Sequence, residues 1–314
     1  MPSWTLHLLD TPEEMLAVEK LQRLIWPGSD LRVVPAHTML TAVHNGGIVI
    51  GAFAGQVGDI NPFQQEKPDL RDREIIGFVF GFPGMYFTPD GPRSKHVSHL
   101  LAVHPQYRDQ GVGFALKRAQ WQMARRQGLD CITWVYDPLD SKNAYLNITR
   151  LGAVCSVYRR DYYGPGMWPE DSGLPSDRFQ VDWWINTKRV NRRLSKQARL
   201  QLDLAHVLAT GAEIANPTRV DDSGLPRPPT APPRIEPQGQ EEAARDHPIQ
   251  LIEIPSDFQQ LKERAPDLAL EWRMHTRQLF EALFALGYLV TDFIHLPGAS
   301  ARSFYILSHG ESTF

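Results

Sequence analysis

The sequence predicts an α/β protein, a mixed sheet flanked by helices, and two stretches predict it. The first runs from Val97 to Gly128. An alternating apolar segment, Val97 to His104, is followed by Pro105-Gln106-Tyr107 and by Arg108-Asp109-Gln110-Gly111-Val112-Gly113. Val112, Ala115, Leu116, Ala119 and Met123 then recur at helical spacing up to Gly128, which gives strand, turn and amphipathic helix. The second stretch, Cys131 to Tyr136, is rich in β-formers and ends at Asp137-Pro138. A helix of this length between two strands makes a βαβ crossover, so the two strands run parallel.

The other elements follow in chain order. Trp4–Leu9 alternates as a strand. Asp10 or Thr11 caps a helix with Pro12 in its first turn and Leu16, Leu21, Leu24 and Ile25 as its apolar face. A second helix covers about Pro35 to Val43, with strands over Ile48–Ala54 and Glu74–Phe82 and a polar connection over Gly55–Arg73. Pro83 to His96 reads as a loop. After the βαβ unit come a short helix from Asp140 or Ser141 to Leu151-Gly152-Ala153, strands over Val154–Tyr162 and Phe179–Ile185, and a basic helix from about Lys188 to Leu208. Its basic face reads as solvated, with a nucleic-acid or adenine contact as the sharper alternative. Gly211–Pro248 holds eight prolines and reads as a linker or long surface loop. A strand over Ile249–Ile254, a long helix from Pro266 to Gly287 and a hairpin of Tyr288–Leu296 with Phe304–Leu307 complete the chain. The expected organisation is a domain over 1–208, a linker over 209–248 and an extension over 249–314 that packs on the domain or on a second subunit, since so short a tail builds a poor core alone.

Composition narrows the function. The chain has 314 residues, 42% hydrophobic and 22% charged, with a net charge of −3; this balance leaves no electrostatic footprint for nucleic acid, and no run of about 18 apolar residues marks a membrane span. The start lacks the pattern of a signal peptide, so the expected location is cytoplasmic. Cys131 and Cys155 read as buried, reduced thiols, and no metal site is expected.

The two glycines of Arg108–Gly113 stand where a helix begins, where backbone N–H groups lack internal partners and the dipole is positive, a setting for phosphate. A dinucleotide fingerprint would need a third glycine where Leu116 stands, and a Walker loop would need Gly-Lys-Ser/Thr, which is absent. What remains is Val103-x-Pro105-x-Tyr107-Arg108-x-x-Gly111-x-Gly113. Together with the Trp134 strand and the helix ending Leu151-Gly152-Ala153, it resembles the GCN5-related N-acetyltransferase (GNAT) superfamily over Trp4 to about Ile185. More narrowly, Trp134–Leu139, Asn143-Ala144-x-Leu146-Asn147, Tyr162-Tyr163-Gly164 and Asp177-Arg178-Phe179 are similar to a bacterial branch of predicted acetyltransferases, some of which accompany N-succinylamino-acid racemases.

The resemblance implies a GNAT-type mixed sheet with a C-terminal helix-plus-strand extension, and acetyl-CoA or another acyl-CoA as co-substrate. The amides of Gln110, Gly111, Val112 and Gly113 would hold the pyrophosphate and Arg108 would shape the loop. Backbone groups of Leu101, Ala102 and Val103 would pair with the pantetheine arm, and Asn143 would bond its far side. An amine then attacks the thioester directly. The family's general-acid tyrosine slot holds Ile148 here; Tyr145 and Tyr158, with Tyr162, are nearby substitutes. His99 is the candidate base, because an imidazole titrates near neutrality; a hydrogen-bonded core histidine fits the same position. Asp177 and Arg178 are the candidate acceptor site, Arg178 clamping a carboxylate; a salt bridge between element ends fits them too. The expected function is N-acylation of a small-molecule amine such as an amino acid, with a homodimer through the extension; the alternative is a non-catalytic acyl-CoA sensor or partner-binding module.

Overall fold

A computed structural model describes residues 4–28, 30–55, 73–164, 173–195, 203–230, 249–298 and 300–309. The chain divides into two compact units, Met1–Trp134 with Trp184–Asn186, and Val135–Trp183 with Thr187–Phe314. The fold class is the expected one, a mixed α/β structure whose sheet is mainly antiparallel and flanked by helices.

In the first unit, β1 (Trp4–Leu8), β2 (Ile48–Ala54), β3 (Ile75–Thr88), β4 (Gly91–Val103) and β5 (Cys131–Tyr136, whose last two residues fall in the second unit) lie side by side in that order. The pairs are antiparallel up to β4, and β4 runs parallel to β5. Helices α1 (Pro12–Ile25) and α2 (Ala36–His44) cover one face, packing on Phe78, Phe80 and Ala102. Helix α3 (Val112–Arg126) covers the other, packing Val112, Leu116 and Ala119 on Ile50, Ile76 and Val79. Thr11 and Glu14 form a capping box at the start of α1, satisfying donors that a helix start leaves open.

Two local readings are corrected here. The buried face of α1 is Met15, Val18, Leu21 and Gln22, while Leu16 and Leu24 are exposed. The helix turns this way because the Gln22 amide serves the Val34 backbone, donating to its carbonyl at 3.2 Å and accepting from its N–H at 2.8 Å. A polar side chain with both partners met can occupy a core position. Pro83–His96 is no loop: β3 and β4 form one long hairpin that turns between Thr88 and Gly91, with Pro83 opposite His96 and Pro92 opposite Phe87. Proline is tolerated in a ladder wherever its missing N–H would point away from the partner strand.

In the second unit, α4 (Ser141–Ala144) runs into a π-helical turn, Tyr145–Arg150, followed by β6 (Val154–Arg159), β7 (Arg178–Trp184), α5 (Lys188–Leu194) and α6 (Leu204–Ala209). The short strands β8 (Glu213–Ile214), β9 (Arg219–Val220) and β10 (Pro226–Arg227) precede β11 (Ile249–Ile254), α7 (Phe258–Arg264), α8 (Pro266–Ala285), β12 (Leu289–Leu296) and β13 (Arg302–Ser308). The strand order is β7, β6, β12, β13, β11, β8. The extension is therefore woven into the fold of its own chain: Val290 of β12 pairs with Cys155 of β6, and β6, β7 and α5 group with the tail instead of with residues 1–134.

Part of the proline-rich stretch is also built in. Strand β8 pairs with β11, Asn216 exchanges two hydrogen bonds with the Glu253 backbone at 2.8 and 2.9 Å, and the Trp272 indole donates to the Pro226 carbonyl. Residues 231–248 lie outside the described residues, as do most of the Gly55–Arg73 connection and positions 196–202 of the expected basic helix. Within α5 the basic residues are not all solvated. Arg193 makes a buried ion pair with Asp292 at 2.7 Å, and Arg189 donates to the Gly152 and Thr291 carbonyls. Cys131 and Cys155 are buried and form no disulfide. No helix among the described residues is long and apolar enough to cross a membrane.

Candidate functional site

Strand β4 carries a break in its ladder. Its register against β3 shifts between the pairs Phe80–Leu100 and Gly81–Ser98, leaving His99 as an extra residue. Such a bulge turns two successive side chains toward one face. The core follows suit: Leu100 packs with Phe80 and Phe82 on the α1–α2 face, while Leu101 and Val103 pack on the α3 face. His99 lies against Phe80 and Phe82 at ring-centroid distances of 5.9 and 5.7 Å.

The ladder between β4 and β5 is short. It comprises His96 with Ile132 and Val97 with Thr133. Beyond the bulge the strand runs on from Leu100 to Val103 paired with β3, and among the described residues of this unit no strand pairs with its other edge. Alternate residues of a strand turn their N–H and C=O groups to opposite neighbours; the His104 N–H bonds the Ile76 carbonyl of β3, so in this phase Ala102 turns to β3 while Leu101 and Val103 turn to the open edge, where an extended ligand can meet them.

That open edge leads into the Arg108–Gly113 turn. The Arg108 guanidinium donates to the Val103 carbonyl at 3.2 Å, and the Gln110 amide to the Gln106 carbonyl at 2.9 Å, folding the turn back on its strand. Asp109 and Gly111 adopt positive φ, 60° and 84°; the second falls at the N-cap of α3, where glycine carries no steric penalty. No side chain caps this helix and no acidic residue stands in its first turn. The first bond it closes runs from the Ala115 N–H to the Gly111 carbonyl. The amides of Val112 and Gly113 thus start a 15-residue helix at its positive end, an arrangement that binds anions.

On the α1–α2 face a cavity of about 790 Å³ opens beside His99, with Val33, Pro35, Thr38, Phe80 and Phe82 in its wall. Crowding by these groups lowers the His99 pKa below 6.5 although the ring keeps an edge to solvent. The imidazole is therefore neutral at pH 7 and able to take a proton.

The α3 face holds a polar cluster that the sequence reading missed. Lys117, 2% exposed, donates to Ser98 Oγ at 2.8 Å and to Gln120 Oε1 at 3.3 Å, and its Nζ stands 3.6 Å from the centroid of the Trp134 ring. The Gln120 amide bonds His96 Nε2 at 3.1 Å. His96 is fully buried, and its Nδ1 has no hydrogen-bond partner among the described residues. Burial, with the Lys117 charge adding to it, pushes His96 from 6.5 to about 3; burial likewise pushes Lys117 well down. Lys117 and Gln120, three residues apart, share a face beside the Leu116–Ala119 stripe, but helical spacing alone does not mark that face as buried.

The second unit places the remaining candidates. Asp177 is fully buried and accepts from Arg277 Nε at 2.8 Å and Nη2 at 2.7 Å, from the Tyr158 hydroxyl at 2.7 Å and from the Asp161 N–H at 3.0 Å. Burial alone would raise its pKa, but these donors, Arg277 foremost, hold it below the usual carboxylate value. Its lone pairs are spent, and Tyr158, itself raised by burial, donates to it. Arg178 donates to the Asp177 carbonyl, stacks over Tyr163 at 5.1 Å and stands 3.9 Å from Asp137; Asp137 is held in turn by the two terminal Arg273 nitrogens at 2.6 and 2.8 Å. Asn143 is bound to its own cap residue, Asp140, through backbone and side chain. Tyr145 begins the π-helical turn half-buried, and its hydroxyl has no hydrogen-bond partner among the described residues, whereas Ile148 is fully buried.

Residues 63–147 match the model of the acetyltransferase (GNAT) family. That segment holds the bulge, the open strand edge and the glycine turn. No curated protein matches the chain. Among solved structures, the chain is similar to NAA60 of Arabidopsis thaliana in complex with acetyl-CoA (15% identity, 58% of this chain and 99% of that one, TM-score 0.42). It is also similar to a chain of the NatC complex bound to Gag peptide and CoA (16%, 57% and 97%, 0.41), and to the ribosomal-protein-S18-alanine N-acetyltransferase of Escherichia coli (15%, 63% and 99%, 0.40).

Proposed function

We propose that the chain is an acyl-CoA-dependent N-acyltransferase that moves an acetyl or succinyl group to the amine of a small molecule, amino acids among them, by direct attack. One observation carries this reading: the open edge of β4 leads into an uncapped helix start at Gly111–Gly113. An extended amide-bearing arm with a phosphate at its end fits such a groove, and the family match over 63–147 supports it. The donor supplies an acyl thioester with a good leaving group. The chain's own part is to hold the arm along Leu101–Val103, to hold the pyrophosphate on the amides of Gln110–Gly113, and to take the amine's proton at His99, which faces the adjoining cavity. Tyr145, with its hydroxyl uncommitted, is the better of the two tyrosine candidates for protonating the thiolate; Tyr158 is engaged by Asp177. On the acceptor side Arg178 is the more available of its pair.

The buried Ile148 favours one second reading, a non-catalytic acyl-CoA sensor. Incubation with acetyl-CoA or succinyl-CoA and a panel of L- and D-amino acids and simple amines, followed by free thiol, separates the two. Acceptor-dependent thiol release establishes the enzyme; thermal stabilisation by CoA without release establishes the sensor. The loop assignment has its own test. Gly111→Trp forces a bulky side chain into φ 84° and should weaken CoA binding by about tenfold or more. Unchanged affinity and turnover would refute the loop. Light scattering on the same preparation reads the homodimer expected through the extension.

A further inference from the structure

We infer that Lys117 is a positioning residue that sets where β4 and β5 part, and so shapes the cleft that receives the arm of an acyl-CoA. The inference rests on the acyl-CoA reading of the β4 edge and adds to it a residue that no motif assigns.

The geometry is that of a bridge placed where the ladder ends. The last backbone pair is Val97 with Thr133. One step further along each parallel strand stand Ser98 and Trp134, which form no ladder pair. In its place Lys117 reaches down from α3, donating to Ser98 Oγ at 2.8 Å and lying over the Trp134 ring at 3.6 Å. Its third contact, Gln120, is bonded to His96, which belongs to the ladder pair with Ile132. The amine is thus tied to both strands and to the start of the shared ladder. Next along β4 comes the bulge at His99.

An apolar residue at this helical position would pack as well on the sheet but could not engage a hydroxyl and a ring at once. The site is also costly: burial pushes Lys117 well down, and an amine desolvated this far needs good partners to be kept. A side chain that only filled the core would not demand that expense. The same helix begins with the glycine turn, so one rigid element aligns the anion site at its first turn with the parting of the strands just over one turn later.

The test compares two probes on the whole protein by calorimetry. CoA occupies both the turn and the cleft, whereas adenosine 3′,5′-bisphosphate lacks the pantetheine arm and probes the nucleotide end alone. In Lys117→Met, CoA affinity should fall about tenfold, the effect of losing one buried polar bridge, while the bisphosphate binds as before. Hydrogen exchange should quicken in peptides covering 96–103 and 131–134. A purely structural lysine would shift both ligands equally or neither, and either result overturns the inference. Should Lys117→Met fail to fold, Ser98→Ala removes only the β4 end of the bridge and should show the same split, about threefold, with unchanged CoA binding again counting against it. If the unaltered protein binds neither probe, the acyl-CoA reading itself falls; if it binds CoA and the variants bind it equally, only the bridge falls.

Discussion

Replacing His96 by Asn tests the buried cluster through its effect on stability at different pH values. His96 is fully buried, with Nε2 committed to Gln120 and Nδ1 without a partner among the described residues, and its pKa is pushed from 6.5 to about 3. Between those two values the unfolded chain binds a proton at this residue and the native chain does not. Stability must then fall as pH falls, by about 1.4 kcal/mol per unit well inside the window. At pH 5 the accumulated loss relative to pH 7 is about 2 kcal/mol. The measurement is urea denaturation of the unaltered protein and of His96→Asn at both pH values. Asn does not titrate, so the difference of the two pH differences isolates His96, while carboxylates and the other histidines cancel. The expected result is a pH loss about 2 kcal/mol smaller in the variant, whatever the variant's own stability at pH 7. A difference below about 0.5 kcal/mol would show that His96 is protonated in the native state, and the neutral buried imidazole would be wrong.

Two further outcomes follow from the geometry. With acceptor saturating, the acidic limb of the pH–rate profile should have an apparent pKa below 6.5, because crowding lowers His99, and His99→Gln should lose that limb and slow turnover about a hundredfold; a variant with rate and limb intact removes His99 as base. Asp177→Asn should cost about 3 kcal/mol in urea denaturation, since it takes from the largely buried Arg277 its closest charge partner and leaves only Asp161 at 4.0 Å, and a cost under about 1 kcal/mol would free Asp177 for an acceptor role.

What could be read from the sequence was what is local. The strand, turn and α3 are each specified by residues within a few positions of one another, and the glycine at φ 84° announces itself as the residue a helix start of this shape requires. The βαβ connection follows from lengths alone. The long β3–β4 hairpin was hidden because Pro83 and Pro92 carry a loop signal that pairing overrides. Lys117 and Gln120 looked like ordinary helix polar residues, and only the meeting of α3, β4 and β5 reveals that they are interior. For Asp177 the deciding partner, Arg277, is a hundred residues away, beyond any pattern of spacing. The same distance effect concealed the use of α5, whose Arg193 finds Asp292 in the extension.

The extra residue in β4 has a consequence for how this chain can vary. The ladder accepts a substitution at position 99 but should not accept a deletion. Removing one residue there would throw Gly91–Ser98 half a pleat out of phase, sending His96 and Ser98 to the α1–α2 face and Val97 to the face of α3. An imidazole, its cavity and the lysine bridge would all be lost together. Changes of two residues at the hairpin tip, where Met85 and Phe87 are already exposed, keep the phase. The arm can therefore lengthen or shorten in pairs without disturbing the cleft, and the bulge acts as a fixed joint between the two.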